Sequence, residues 1–369
     1  MPEIIQNTLY LTTNGTWVNR DHLTLQVEVP VYPADLPKEE RARDKATDYR
    51  KVPIPIHHLE SLCAFGPVTI TPPALDLCWE HGVAVNFLSE WGYLQARLTG
   101  VADTSVTLRR AQFRAADVIT RCAAIARAII AGKLQNSRNS LLRAARETED
   151  TTEQASLETA ADGLARQIHD LGCWTPERLA MPEALDALRG SEGMGAQTYF
   201  GVFALLLKQQ REDFSFTTRS RRPPRDRINC LLSFLYALIR HDCLAALTVV
   251  GLDPFVGFLH AERPNRPALA LDLMEEFRPW LADRLAVTLI NRKQIGVEHF
   301  RVREGGAVEF TDAGRKLVIQ AYQTRKQEAL QHPLLTQQLR VGQLPFIQAR
   351  VLARYLRGDV ADYVPLVPK

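Results

Sequence analysis

Over the first hundred positions polar and apolar residues tend to alternate, and beyond Ser105 the apolar positions recur every three or four. A period of two belongs to strands with one solvated face, and a period near 3.6 belongs to amphipathic helices. Asn7 to Thr13 therefore reads as a strand, and Asn14-Gly15 as a hairpin turn, because that dipeptide accepts positive φ. His22 to Val29 (HLTLQVEV) and Val52 to His57 alternate cleanly, and Gly66 to Ile70, Val83 to Phe87 and Tyr93 to Leu98 are further strands. Pro73 stands near the first turn of a short helix reaching His81, a position that tolerates a missing N–H. Pro30 to Arg50, rich in proline and then in charge, reads as a loop.

In the second pattern, helices are expected over Ser105–Ile130, Ser137–Arg146, Thr152–Leu171, Pro182–Leu188, Ser191–Leu207, Ile228–Leu247, Ala268–Leu285, Thr311–Glu328 and Pro345–Leu356. His299 to Phe310 is a β-hairpin with Gly305-Gly306 at its tip, Gly251 to Pro267 a loop, and Val360 to Lys369 a loose tail. The expected architecture is α+β: a small β-sheet or sandwich domain over residues 1–100, then a mostly α-helical domain over 101–369. No internal repeat of fixed period interrupts it.

Composition narrows the class. With 369 residues, 46% of them hydrophobic and 24% charged, the chain can bury the cores of two domains and is not of a disordered or low-complexity type. A net charge of +3 permits nucleic-acid binding without arguing for it, so a DNA surface has to come from local clusters of Arg and Lys. Cys63, Cys78, Cys122, Cys173, Cys230 and Cys243 form no CxxC pair, which excludes a zinc ribbon and fits a reducing, cytoplasmic compartment. MPEIIQNTLYL lacks the pattern of a signal peptide. The apolar run Leu231–Ile239 is too short to cross a bilayer, so a soluble protein with no membrane partner is expected.

Common catalytic signatures are missing from the sequence: there is no GxGxxG after a strand, no Walker loop, no HExxH and no GxSxG. What remains is a set of acids and one histidine. Glu192, in SEGMGAQTYF, precedes Gly193, Gly195 and Ala196, small residues that let another backbone or a ligand come close. Its plain alternative is an exposed first-turn acid behind a Ser191 cap. His260 ends GLDPFVGFLH, an apolar loop; it is either a satisfied core histidine or a neutral imidazole ligand. Asp272 and Glu275, in LALDLMEEFRP, lie three apart and share a helix face. At least one of them points inward, where a carboxylate needs a partner or a metal; the alternative is a salt bridge from Glu275 to Arg278. Carboxylates with one imidazole form a hard donor set that suits Mg²⁺ or Mn²⁺, and the chemistry implied is phosphodiester attack. Between Glu192 and His260 stand Arg219, Arg221, Arg222, Arg225 and Arg227 with two prolines, either a solvated extended loop or a phosphate-binding strip.

The ordered set SEGMGAQTYF, RRPPRDRINCLLSFLYALI and GLDPFVGFLHAERPNRPALALDLMEEFRP resembles the CRISPR-associated integrase family, the near-universal adaptation subunit. The resemblance covers essentially the whole chain, and NTLYLTT and VPIPIHHLESLCAFG resemble the branch found in type I-C systems. It implies that Glu192, His260 and Glu275 are metal ligands, with Asp272 the nearby motif acid, and that Arg219, Arg221, Arg222, Arg225, Arg227 and Arg266 contact DNA phosphates. Some relatives carry Asp at the place of Glu275. The activity implied is endonuclease and strand-transfer chemistry, in which a 3′-hydroxyl of a spacer attacks a phosphodiester of the CRISPR repeat with Mg²⁺ or Mn²⁺ bound. A non-catalytic DNA-binding subunit is the alternative. The partners implied are double-stranded DNA, a second copy of the chain joined through the β domain, a dimer of a small ferredoxin-like protein, and in many type I-C systems a spacer-trimming nuclease.

Overall fold

The computed structural model describes residues 8–33, 43–59, 61–89, 94–98, 106–220, 223–335 and 337–368, and the chain falls into two units, Met1–Asp103 and Thr104–Lys369. The first unit holds β1 (Thr8–Leu11), β2 (Trp17–Asp21), β3 (Thr24–Val31), β4 (Asp48–Pro55), β5 (Ser61–Phe65), β6 (Thr69–Ile70), helix α1 (Pro72–Glu80), β7 (Ala84–Leu88) and β8 (Leu94–Leu98). These make two four-stranded sheets, ordered β1-β5-β7-β8 and β4-β3-β2-β6. Leu11, Val18, Leu25, Leu62, Leu77 and Val85 meet in one buried cluster drawn from both sheets and α1.

Three readings of this region need correction. Gly15 has positive φ (78°), but Asn14-Gly15 is not a hairpin turn. β1 pairs in parallel with β5, while β2 pairs with β3 and β6, so the chain changes sheets there. The hairpin lies one strand later, with His22 at φ 53° between β2 and β3. Strand β5 was not foreseen: LCAF is buried and pairs in parallel on both sides, and a strand covered on both faces loses its alternation. The loop expected over Pro30–Arg50 is shorter, because the β3–β4 ladder runs out to the Val31–Asp48 pair; its residues 34–42 lie outside the described residues.

The second unit holds α2 (Val106–Ala116), α3 (Ile119–Glu147), α4 (Thr151–Gly172), α5 (Pro176–Leu179), α6 (Ala184–Gly201), α7 (Arg227–Val250), α8 (Ala268–Met274), α9 (Arg284–Asn291), β9 (Phe300–Val302), β10 (Val308–Phe310), α10 (Asp312–Gln327), β11 (Ala329–Gln331), β12 (Gln338–Arg340) and α11 (Leu344–Arg357). The expected β-hairpin is β9–β10, and β11–β12 adds a second small one. Together the units give the α+β layout of strands followed by helices.

Helix boundaries moved where polar residues are used inside the fold. The segments expected over Ser105–Ile130 and Ser137–Arg146 are redistributed: the chain breaks after Ala116, and α3 then runs unbroken for 29 residues. Its Asn136 is buried and spends its amide on the carbonyls of Glu276 (2.8 Å) and Leu366 (2.9 Å). Pro182–Leu188 and Ser191–Leu207 merge into α6 and a 3₁₀ turn over Phe203–Leu206. The helix expected over Ala268–Leu285 ends at Met274 and resumes as a π-helical stretch, Arg278–Asp283. Pro279 brings no N–H for the carbonyl four residues back; such π turns recur at functional sites. Helix α7 spans 24 residues, long and apolar enough by composition to cross a bilayer, which the run Leu231–Ile239 understated; it is mostly buried within the protein.

The tail is not loose. Tyr363 and Leu366 are buried, and Leu366 N–H donates to Glu276 Oε2 at 2.7 Å.

Candidate active site

Two close approaches bring the acids and the histidine together. A Cβ built on Gly195 would stand 2.2 Å from Leu134 Cδ2, so this glycine, three residues after Glu192, lets α6 lie against α3 and sets Glu192 beside Lys133. Gly193 has open space instead. Glu192 lies in the middle of α6, and Ser191 Oγ donates to the Ala187 carbonyl (3.1 Å). The first-turn, Ser-capped alternative is therefore incorrect. The second approach is at Gly257, where a Cβ would stand 2.8 Å from Asp272 Oδ2 and 2.8 Å from Ala268 Cβ. The loop after α7 folds tightly over α8 and closes on Asp272.

Asp272 is wholly buried and acts as a hub. Its Oδ2 accepts from the N–H groups of Phe258 (2.6 Å) and Leu259 (3.0 Å), and its Oδ1 accepts from His260 N–H (2.9 Å). His260 Nδ1 lies 2.7 Å from the same Oδ1. A carboxylate that only accepts requires Nδ1 to carry a proton, which leaves Nε2 as the ring nitrogen turned to a further partner. Nε2 faces Glu275, 3.8 Å from its Oε1.

Glu275 is buried, with Arg278 Nη1 at 2.8 Å from Oε1 and Lys133 Nζ at 2.8 Å from Oε2. Burial pushes its carboxyl up, but Arg278, Lys133 and His260 oppose burial and hold it at about 2. The foreseen Glu275–Arg278 pair thus exists alongside the inward-pointing acid rather than instead of it. Arg278 itself lies over the Tyr236 ring, 5.0 Å from its centroid. The adjacent Glu276 turns the other way. It accepts from Gln348 Nε2 (2.9 Å), from Leu366 N–H and from Tyr363 Oη, and burial lifts its carboxyl to about 7.

Sequence reasoning missed Lys133. Its ammonium contacts Glu192 Oε1 as well as Glu275 Oε2, so it bridges the two acids. A signal was available: AIIAGKL places a lysine in an apolar stretch, where a buried cation needs an acidic partner.

The fit to a divalent ion can be judged from these donors. Among the described residues no three His, Cys, Asp or Glu side chains converge tightly enough to hold one as they stand, since Lys133 lies between Glu192 and Glu275. The donor chemistry nonetheless suits a hard cation: two carboxylates, plus an imidazole whose other nitrogen is pinned by a carboxylate.

The basic strip is partly fastened to the protein. Arg219 bonds Asn229 Oδ1 and sits over Tyr236, 5.2 Å from its centroid. Arg225 Nη1 donates to the Gly305 carbonyl and Arg227 Nη1 to the Asp213 carbonyl, each at 2.6 Å. Arg221 and Arg222 lie outside the described residues. Arg266 is half-buried in the loop before α8.

Comparison with known proteins concerns the chain as a whole. The family profile described as CRISPR associated protein Cas1 matches residues 9–324. A CRISPR-associated endonuclease Cas1 from Moorella thermoacetica is 44% identical over 364 residues, covering 99% of each chain. The fold resembles a casposase bound to its integration product, with a TM-score of 0.78, 20% identity and coverage of 97% of this chain and 93% of that one. It also resembles a Cas6-RT-Cas1–Cas2 complex, with a TM-score of 0.74, 23% identity and coverage of 99% of this chain and 36% of that one. By the extent of the profile match and by the identity shared with full-length relatives, the chain belongs to the CRISPR-associated Cas1 family.

Proposed function

We propose that this Cas1 protein is a metal-dependent DNA endonuclease and strand-transfer integrase, with Glu192, His260 and Glu275 as its metal ligands. The observation that carries the reading is the orientation of His260: Asp272 holds its Nδ1 and leaves Nε2 facing Glu275, beside Glu192 across Lys133. An imidazole held through Nδ1 by a buried carboxylate, with Nε2 turned toward a second acid, is the arrangement in which metal-ligating histidines are held.

A bound Mg²⁺ or Mn²⁺ would acidify an attacking hydroxyl and stabilise charge on the phosphoryl oxygen and the leaving oxygen. The protein's part is to aim the ligands. Asp272 fixes the imidazole, while Arg278 keeps Glu275 ionised and in place. Arg219, Arg225, Arg227 and Arg266, with Arg221 and Arg222, would hold DNA phosphates nearby, so the 3′-hydroxyl of a spacer can attack a repeat phosphodiester directly without a covalent protein–DNA intermediate.

The naming of homologues as endonucleases and the fold shared with a casposase support the activity. The fold shared with part of one chain of a Cas6-RT-Cas1–Cas2 complex supports a Cas2 partner, which we take to be the small ferredoxin-like dimer. Dimerisation through the β unit, a type I-C setting and an accompanying spacer-trimming nuclease complete the reading.

Nicking of branched DNA by wild type and Glu192→Ala in Mn²⁺ is the test. Loss of cleavage in the variant, with salt-sensitive DNA binding retained, supports it. Binding without cleavage by both proteins favours a non-catalytic DNA-binding subunit.

A further inference from the structure

We propose that Lys133 is the site's resident counter-cation, and that it must give up its bridge between Glu192 and Glu275 for a divalent ion to bind; the inference rests on the metal-site reading above. Two carboxylates share one ammonium: Nζ lies 2.8 Å from Glu275 Oε2 and contacts Glu192 Oε1. Its side chain is 9% exposed and that of Glu275 2%, so little water screens this contact.

The charges then decide which group moves. Arg278 already neutralises Glu275 from the Oε1 side and is held over Tyr236. A divalent ion entering between the acids would meet the two positive charges of Lys133 and Arg278 in a poorly screened setting, an arrangement Coulomb repulsion disfavours. Lys133 is the one able to yield. It has a flexible stem and a point charge, whereas the guanidinium of Arg278 is planar and stacked. Glu192, 28% exposed, marks the side from which an ion can enter and toward which the ammonium can leave. The exchange thereby lowers metal affinity, while the bridge keeps the two acids together when no metal is bound.

Lys133→Met is the direct test, read by calorimetric Mn²⁺ titration and by melting in EDTA. Removing the competing charge should tighten Mn²⁺ binding by about tenfold. The variant should melt below wild type in EDTA and recover with Mn²⁺. A second measurement uses wild-type protein: amine labelling of Lys133, followed by mass spectrometry, should speed up on adding Mn²⁺. Unchanged or weaker Mn²⁺ binding by a folded variant overturns the exchange, as does labelling that Mn²⁺ leaves unchanged or slows. With Mn²⁺-dependent cleavage intact, those outcomes leave the proposed function standing. Failure of both proteins to bind Mn²⁺ overturns the exchange and the metal-site reading together.

Discussion

Asp272 holds His260 twice with one oxygen, accepting from its backbone N–H at 2.9 Å and bonding its ring Nδ1 at 2.7 Å. The other oxygen takes the N–H groups of Phe258 and Leu259. One buried side chain therefore fixes both the course of the loop and the angle of the imidazole.

Replacing Asp272 by Asn puts an NH₂ against at least one backbone N–H, whichever way the amide turns. The expected loss is about 2–4 kcal/mol in denaturant unfolding, since buried donors are left unpaired and the acceptor charge is gone. Loss of a carboxylate that orients a ligand histidine should also weaken metal binding by about 10–100-fold. A variant as stable as wild type, with unchanged Mn²⁺ affinity, would show that Asp272 is not the hub.

The C-terminal segment is a structural part of the site. Leu366 is fully buried, its carbonyl accepts from Asn136 on α3 and its N–H donates to Glu276. Those two contacts join the helix that carries Lys133 to the turn that carries Glu275. Leu366→Ala should cost about 2–5 kcal/mol, and deleting residues 359–369 should cost more. Urea unfolding curves that superimpose on wild type would return the tail to the loose state expected from its sequence.

Stability should also carry a signature of Asp283. Burial lifts its carboxyl from 3.8 to about 6, and Tyr236 donates to it at 2.7 Å. The unfolded chain then loses its proton near pH 3.8 while the folded protein keeps its own to about 6. Fewer protons bound to the unfolded state means that stability falls as pH rises across that window and levels off above it. The fall attributable to this group is about 3 kcal/mol. Asp283→Asn keeps an oxygen for Tyr236 and removes the titration. The difference in unfolding free energy between wild type and variant should therefore slope between pH 4 and 6 and be flat at pH 7; a flat difference throughout contradicts the assignment.

Residues whose job is local were the most legible in the sequence. The alternation of HLTLQVEV, the proline start of α1 and the Gly305-Gly306 hairpin each mark an element through a nearby period or turn. Strand β5 did not show, because burial on both faces erases the period that would reveal it. Asn14-Gly15 misled because the dipeptide fixes a backbone angle, not the partner of the strand before it. The site followed the same division. Asp272, Glu275 and Arg278 share a short helical stretch, so their pairing could be weighed from spacing. Lys133 reaches them from a helix more than a hundred residues away, and only the packing at Gly195 puts it beside Glu192. The tail was misread for a similar reason, since the acceptor that orders it, Glu276, is distant in the chain.

The central claim is that Glu192, His260 and Glu275 hold the ion that drives DNA strand transfer, and a joining assay tests it most directly. Wild type and His260→Ala would each be mixed with the small partner subunit, a spacer duplex with free 3′-hydroxyls and a plasmid carrying the repeat, with Mn²⁺ or with EDTA. The account predicts joining by wild type in Mn²⁺ alone, and by His260→Ala in neither. Joining by the variant at the wild-type rate, or joining in EDTA, would contradict it.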